Sequence, residues 1–141
     1  MICMRVLAID HGTKRMGIAI SDELKVIAQP LEFIPSEPFS KFLARLQELI
    51  REKEVDLILV GLPRNMDGSH GPAAQKVQEF VAALKAEVSP PIQTWDERLT
   101  SVQANRYLID AEVRRADRKK KVDQTAAAIL LQSYLDASGR A

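Results

Sequence analysis

A single α/β domain, built on a five-stranded mixed sheet flanked by helices, is the architecture this chain predicts. Three observations predict it. Three short apolar runs follow one another near the start with only turn-length gaps between them, and beyond them helical periodicity alternates with short buried runs. At 141 residues and 46% hydrophobic, the chain can bury one full core without staples, so one domain over residues 1–141 is expected.

Residues 4 to 10, 16 to 21 and 26 to 34 read as strands, joined by a turn containing Gly12 and another at Asp22-Glu23. Consecutive strands with short turns make an antiparallel meander. After Pro35 and Pro38, the residues Phe39, Phe42, Leu43, Leu46, Leu49 and Ile50 recur at three- and four-residue steps and predict an amphipathic helix. Asp56-Leu57-Ile58-Leu59-Val60-Gly61 is then a short buried strand, and strand–helix–strand implies a right-handed parallel crossover. The sheet is therefore mixed.

The loop from Gly61 to Ser69 is rich in turn formers. It leads to a helix that buries Val77, Phe80, Val81 and Leu84, and whose N-terminus can receive a phosphate. Ile92 to Trp95 reads as a fifth strand ending at Asp96-Glu97, and Thr100 with Gln103 forms a capping box for another helix. A polar stretch from Asp110 to Lys121 connects to a last helix, alanine-rich, with Ala127, Leu130 and Tyr134 on one stripe.

The single cysteine, Cys3, excludes an intramolecular disulfide framework and a cysteine zinc cluster, and points to a reducing compartment with Cys3 as a packing residue. No run of 18 apolar residues exists, and Asp10 interrupts the first apolar run too early for a secretory signal. A cytoplasmic protein without a membrane partner is the expectation. Net charge is +1, unevenly spread: residues 98 to 121 carry eight Lys/Arg against three Asp/Glu. A local basic patch suits phosphate backbones, although a solvated helix face is the commoner meaning of a charge run.

Chemistry concentrates at three acids. Asp10 ends the run Val6-Leu7-Ala8-Ile9, which reads as a strand buried on both faces, and a carboxylate there loses hydration that a cation or turn amides must replace. An Asx-turn with Gly12 is the plainer explanation. Asp123 shares helical phase with Ala126, Ala127, Leu130 and Tyr134, which points its carboxylate at the sheet; capping the helix is the alternative. Asp96 and Glu97 end the fifth strand facing opposite ways, and periodicity alone leaves open which joins the others; Glu97 could equally pair with Arg98 at the surface. Clustered oxygen ligands of this kind select hard ions, Mg²⁺ or Mn²⁺. A pair of ions about 4 Å apart suits phosphodiester hydrolysis.

Four segments then stand in order: Ile9-Asp10-His11-Gly12-Thr13-Lys14-Arg15-Met16-Gly17-Ile18-Ala19, Gly61-Leu62-Pro63 through Gly68-Ser69, Asp96-Glu97-Arg98-Leu99-Thr100-Ser101, and Val122-Asp123-Gln124 through Ala127. Together they closely resemble the YqgF/RuvX family over nearly the whole chain. The resemblance implies a ribonuclease H-like fold, a Holliday-junction-resolvase-like nuclease, and a role in maturing the 5′ end of precursor 16S ribosomal RNA. It also implies Asp10, Glu97 and Asp123 as the catalytic, metal-holding acids, with Glu97 rather than Asp96.

Lys14 and Arg15 in the first hairpin, Arg98 beside Glu97, Arg64 and Asn65 on the loop after the fourth strand, and Lys119, Lys120 and Lys121 ahead of Asp123 are the candidate phosphate contacts. Plain surface solvation is the alternative for each. His11 is a candidate proton carrier or a turn residue, His70 a residue at a helix start, and Trp95 a base-stacking residue or, more commonly for such a position, core.

A metal-dependent endonuclease on structured RNA is the leading expectation, with the ribosomal precursor particle as a candidate partner. A branched-DNA resolvase, whose symmetric cuts favour a homodimer over a monomer, shares the chemistry. A non-catalytic nucleic-acid-binding processing or transcription factor would rely on the basic segment instead. A phosphotransferase related to actin or sugar kinases is disfavoured, because the chain is too short for two lobes.

Overall fold

Strand β1 (Arg5–Asp10) is the middle of a five-stranded sheet of order β3-β2-β1-β4-β5. Strands β2 (Arg15–Ser21) and β3 (Ala28–Pro35) continue it antiparallel on one side, and β4 (Val55–Leu62) and β5 (Ile92–Asp96) continue it parallel on the other. Helices α1 (Phe39–Glu52) and α2 (Pro72–Lys85) are the crossovers, and α3 (Ala126–Ser138) follows later in the chain. The computed structural model describes residues 5–12, 14–63, 71–96 and 125–138. The mixed sheet expected from the sequence is present, with strand ends within two residues of their predicted places. The helix expected after Thr100 and the polar connection up to Lys121 lie outside the described residues.

Pleating divides β1 between two cores, which is why its sequence is apolar at every position from Val6 to Ile9. Leu7 and Ile9 face α1 and α2, where Phe42, Leu46, Val77, Phe80 and Leu84 bury their side chains. Val6 and Ala8 face the other way and, with Ala19 and Leu59, are covered by Ala127, Ala128, Leu130, Leu131 and Leu135 of α3. The alanines hold α3 close: the Ala127 Cβ lies 3.7 Å from where a Cβ on Gly17 would be.

Thr125 opens α3. Its Oγ1 accepts the backbone N–H of Ala128 at 3.2 Å and its carbonyl accepts that of Ile129 at 3.0 Å, the pattern of an N-cap. The capping role open to Asp123 in the sequence is thus filled by Thr125, and residue 123 itself lies outside the described residues.

Two turns are held by specific groups. At Gly12 a Cβ would collide with the carbonyl oxygen of Arg15, so only glycine fits the β1–β2 connection. Ser36, just past β3, donates its Oγ–H to the Gly12 carbonyl at 2.8 Å and its backbone N–H to the Lys14 carbonyl at 3.0 Å, tying this turn to the sheet. At the β2–β3 turn, Asp22 Oδ1 accepts the N–H groups of Val26 and Ile27 at 2.7 and 3.1 Å. Gln132 of α3 clasps the same hairpin, accepting the Ala28 N–H and donating to the Val26 carbonyl, each at 2.9 Å. Among the described residues no helix is long and apolar enough to cross a membrane.

Candidate active site

Asp10 is the last residue of the central strand, on the α3 face of the sheet. Its Cα partner across the antiparallel ladder is Gly17, and Gly17 is in turn paired with Phe33. On the parallel side, one register step beyond the pair Ile9–Val60 brings Asp10 level with Gly61, whose own partner is Trp95. A glycine therefore stands on either side of the carboxylate, and an aromatic residue stands beyond each glycine.

On the β2 side, the missing side chain of Gly17 lets groups from farther away close in beside Asp10. A Cβ on Gly17 would meet Phe33 Cε1 at 3.3 Å, Asp10 Cβ at 3.6 Å and Ala127 Cβ at 3.7 Å, so the three groups converge on one point above the sheet. Asp10 is only partly exposed, and among the described residues no hydrogen-bond donor or cation reaches its carboxylate. Burial accordingly pushes its carboxyl above the usual carboxylate range. A half-buried carboxylate oxygen pair with no compensating donor among the described residues has the chemistry of a hard-cation ligand.

Of the basic candidates, Lys14 and Arg15 are exposed at the start of β2. The Arg15 guanidinium carbon sits 4.1 Å from the centre of the Phe33 ring. Trp95 behaves as core: its Nε1 donates to Ser133 Oγ at 3.3 Å and its ring meets Tyr134 edge-on, with centroids 5.3 Å apart. Because Trp95 packs with α3, alternation puts Asp96 on the other side of the sheet, in phase with Ile92, which packs against the α1/α2 core.

His11 parts company with Asp10 for the same reason. It is in phase with Leu7 and Ile9, and its ring lies edge-on to Phe80, with centroids 5.0 Å apart on the α2 side. Burial, and secondarily the ammonium of Lys76, pull its pKa below the ordinary histidine value. A cavity of about 240 Å³ beside it is lined by Gly61, Pro63 and the first turn of α2. A proton shuttle between His11 and the Asp10 carboxylate is not supported by this placement.

Glu97, Arg98, Arg64, Asn65, His70, Lys119, Lys120, Lys121 and Asp123 lie outside the described residues. Among the described residues, no group of three acidic, histidine or cysteine side chains stands together. Phe33 is the residue that sequence reasoning missed. The one signal for it was its place in a strand next to the buried Ile34, and only the ladder shows it opposite Gly17, the partner of Asp10.

Comparison with known proteins agrees with this architecture. The model of the RuvX family, described as Holliday junction resolvase, matches residues 4–137. A protein of Desulforamulus reducens named "Putative pre-16S rRNA nuclease" is 44% identical over 137 residues, covering 97% of this chain and 100% of that protein. A Geobacillus sp. protein of the same name is 49% identical over 136 residues, covering 95% of this chain and 99% of that protein. Among solved structures, Thermus thermophilus RuvC in complex with Holliday junction substrate superposes with a TM-score of 0.57 at 18% identity over 96% of both chains. The fowlpox virus Holliday junction resolvase gives 0.53 at 14% identity, over 95% of this chain and 99% of that one. With its central strand, mixed sheet and covering helix all accounted for, the chain belongs to the RuvX family and has the ribonuclease H-like fold.

Proposed function

We propose that this protein is a divalent-metal-dependent endonuclease that hydrolyses phosphodiester bonds, and that its work is 5′-end maturation of precursor 16S ribosomal RNA in the cytoplasm, carried out by one domain. The observation that carries the reading is Asp10: a desolvated carboxylate without a partner among the described residues, at the end of the central strand and flanked by Gly17 and Gly61. The names of relatives at 44% and 49% identity support the substrate.

Asp10, Glu97 and Asp123 would hold Mg²⁺ or Mn²⁺. In sequence, position 97 directly follows Asp96, the last residue of β5, and position 123 lies two residues ahead of the Thr125 cap of α3. When bound, a pair of such ions supplies activation of water and neutralises charge at the leaving oxygen. The chain's own part is positional: Lys14 and Arg15, with Arg98, Arg64, Asn65 and Lys119 to Lys121, bind the phosphate backbone and orient it against the acids.

Resolution of branched DNA is the second reading, favoured by the description of the family model. One experiment tests both: cleavage of labelled precursor 16S RNA and of a four-way DNA junction, with Mn²⁺, Mg²⁺ or EDTA, by wild type, Asp10→Asn and Asp123→Asn. Metal-dependent cutting of the RNA, lost in both variants, is the expected result. Cutting of the junction alone would install the second reading, and binding without cutting by the wild type would leave a non-catalytic processing factor.

A further inference from the structure

Phe33 is an exposed aromatic close to the candidate acid. The residue is 46% exposed on an edge strand, and ladder pairing puts it in one row with Gly17 and Asp10 on one face of the sheet. Two strand spacings, about 10 Å, separate the Asp10 and Phe33 backbones. Gly17 contributes no side chain between them. The ring leans into the place a Cβ would take, 3.3 Å from it, while the Asp10 Cβ lies 3.6 Å from the same point, so ring and carboxylate side chain close on one another over Gly17. Arg15, in phase with Gly17 on the same strand, lays its guanidinium over the ring at 4.1 Å.

A planar cation on a half-exposed ring is a stack with solvent on one side of it. Glu32, next in sequence to Phe33, faces the opposite side and pairs with Arg45, leaving the guanidinium of Arg15 uncommitted to any carboxylate among the described residues. Aromatic rings and guanidinium planes are the surfaces on which unpaired bases stack, and the preference carries no sequence requirement because every base has a π-face. A base in a duplex is already stacked and cannot use them.

We propose that Arg15 and Phe33 form a stacking site for an unpaired nucleobase adjoining the phosphate that is cut, so that the substrate is cleaved within single-stranded or locally unpaired nucleic acid. The proposal rests on the nuclease reading above and deepens it. Arg15 then acts as a stacking plane as well as a charge, and Gly17, having no side chain, lets the ring lean toward the carboxylate.

The test is binding in EDTA, where no cutting occurs, of short oligonucleotides carrying 2-aminopurine, as RNA and as DNA of the same sequence, single-stranded and duplex. Wild type, Phe33→Leu and Arg15→Lys are compared; leucine keeps apolar cover over Gly17, and lysine keeps the charge. The expected result is quenching of the single-stranded probe by wild type, with affinity falling about tenfold in each variant. Duplex affinity should be unchanged in Phe33→Leu, which removes no charge, and the salt dependence should be unchanged in both variants, because lysine keeps the charge of Arg15. Equal affinities of all three proteins for single strands, or an equal loss by Phe33→Leu on single strand and duplex, would overturn the proposal. RNA and DNA arms show which sugar the site accepts. Absence of cleavage in the earlier experiment would overturn the nuclease reading while leaving this binding result to stand or fall by itself.

Discussion

Gly17 stands opposite Phe33 in the β2–β3 ladder, and the ring comes within 3.3 Å of the point a Gly17 Cβ would occupy. Packing at this point is what joins the sheet, α3 and the acid. Gly17→Ala should be nearly neutral in stability, because the half-exposed ring can give by the few tenths of an ångström required. Gly17→Val should cost about 1–3 kcal/mol through overpacking against Ala127 and crowd Asp10 as well. Urea denaturation of both variants beside a cleavage assay checks the contrast.

Asp10 is held in the protein at a cost to stability, since burial disfavours its ionised form and no donor among the described residues offsets that. In EDTA at neutral pH, Asp10→Asn should therefore melt higher than wild type, by about 2–4 °C for each kcal/mol relieved, while cleaving nothing. Added Mg²⁺ should raise the wild-type Tm and leave the variant's unmoved. Differential scanning fluorimetry with and without the ion reads both.

Glu32 and Arg45 form a two-pronged ion pair, with Nε–Oε2 and Nη2–Oε1 distances of 2.9 and 2.7 Å. The guanidinium holds the Glu32 carboxyl below its usual value. A lowered folded-state pKa contributes stability that is complete above the unfolded value of 4.5 and disappears as the pH falls through the folded one. Glu32→Gln should be slightly less stable than wild type at pH 7, by ~1 kcal/mol or less for so exposed a pair, and equal to it at pH 2. Tm measured across that range is the check.

Thr125 holds the start of the helix that covers Asp10's face. Thr125→Ala should cost about 1 kcal/mol and Thr125→Ser much less, because serine keeps the accepting oxygen. Hydrogen exchange should quicken at Ala128 and Ile129 in the alanine variant. Trp95 is the sequence's one tryptophan and bonds to Ser133 of α3, so its emission should shift red if the helix loosens.

The strands and the first two helices were legible because each buries one face or both, and burial leaves a period in the sequence: Phe42, Leu46 and Leu49 in α1, Val77, Phe80, Val81 and Leu84 in α2. Asp10 was legible because an acid closing an apolar run is chemically out of place. His11 was ambiguous, a proton carrier or a turn residue by sequence, and only the pleat, which sends chain neighbours to opposite faces, sets its ring against Phe80. Thr125 and Asp123 are both cap-competent residue types two positions apart, and only the structure shows Thr125 Oγ1 accepting the Ala128 N–H. Phe33 could not be placed beside Gly17 by counting, because the β2–β3 register shifts between Ile18 and Ala19.

The order of synthesis has its own consequence for α3. Every strand of the sheet is made before residues 126–138, so a growing chain can complete its ladders while Val6, Ala8, Ala19 and Leu59 still lack their cover. Until α3 arrives, that half-finished molecule presents an oily flank to water, and the acid on that flank has no roof.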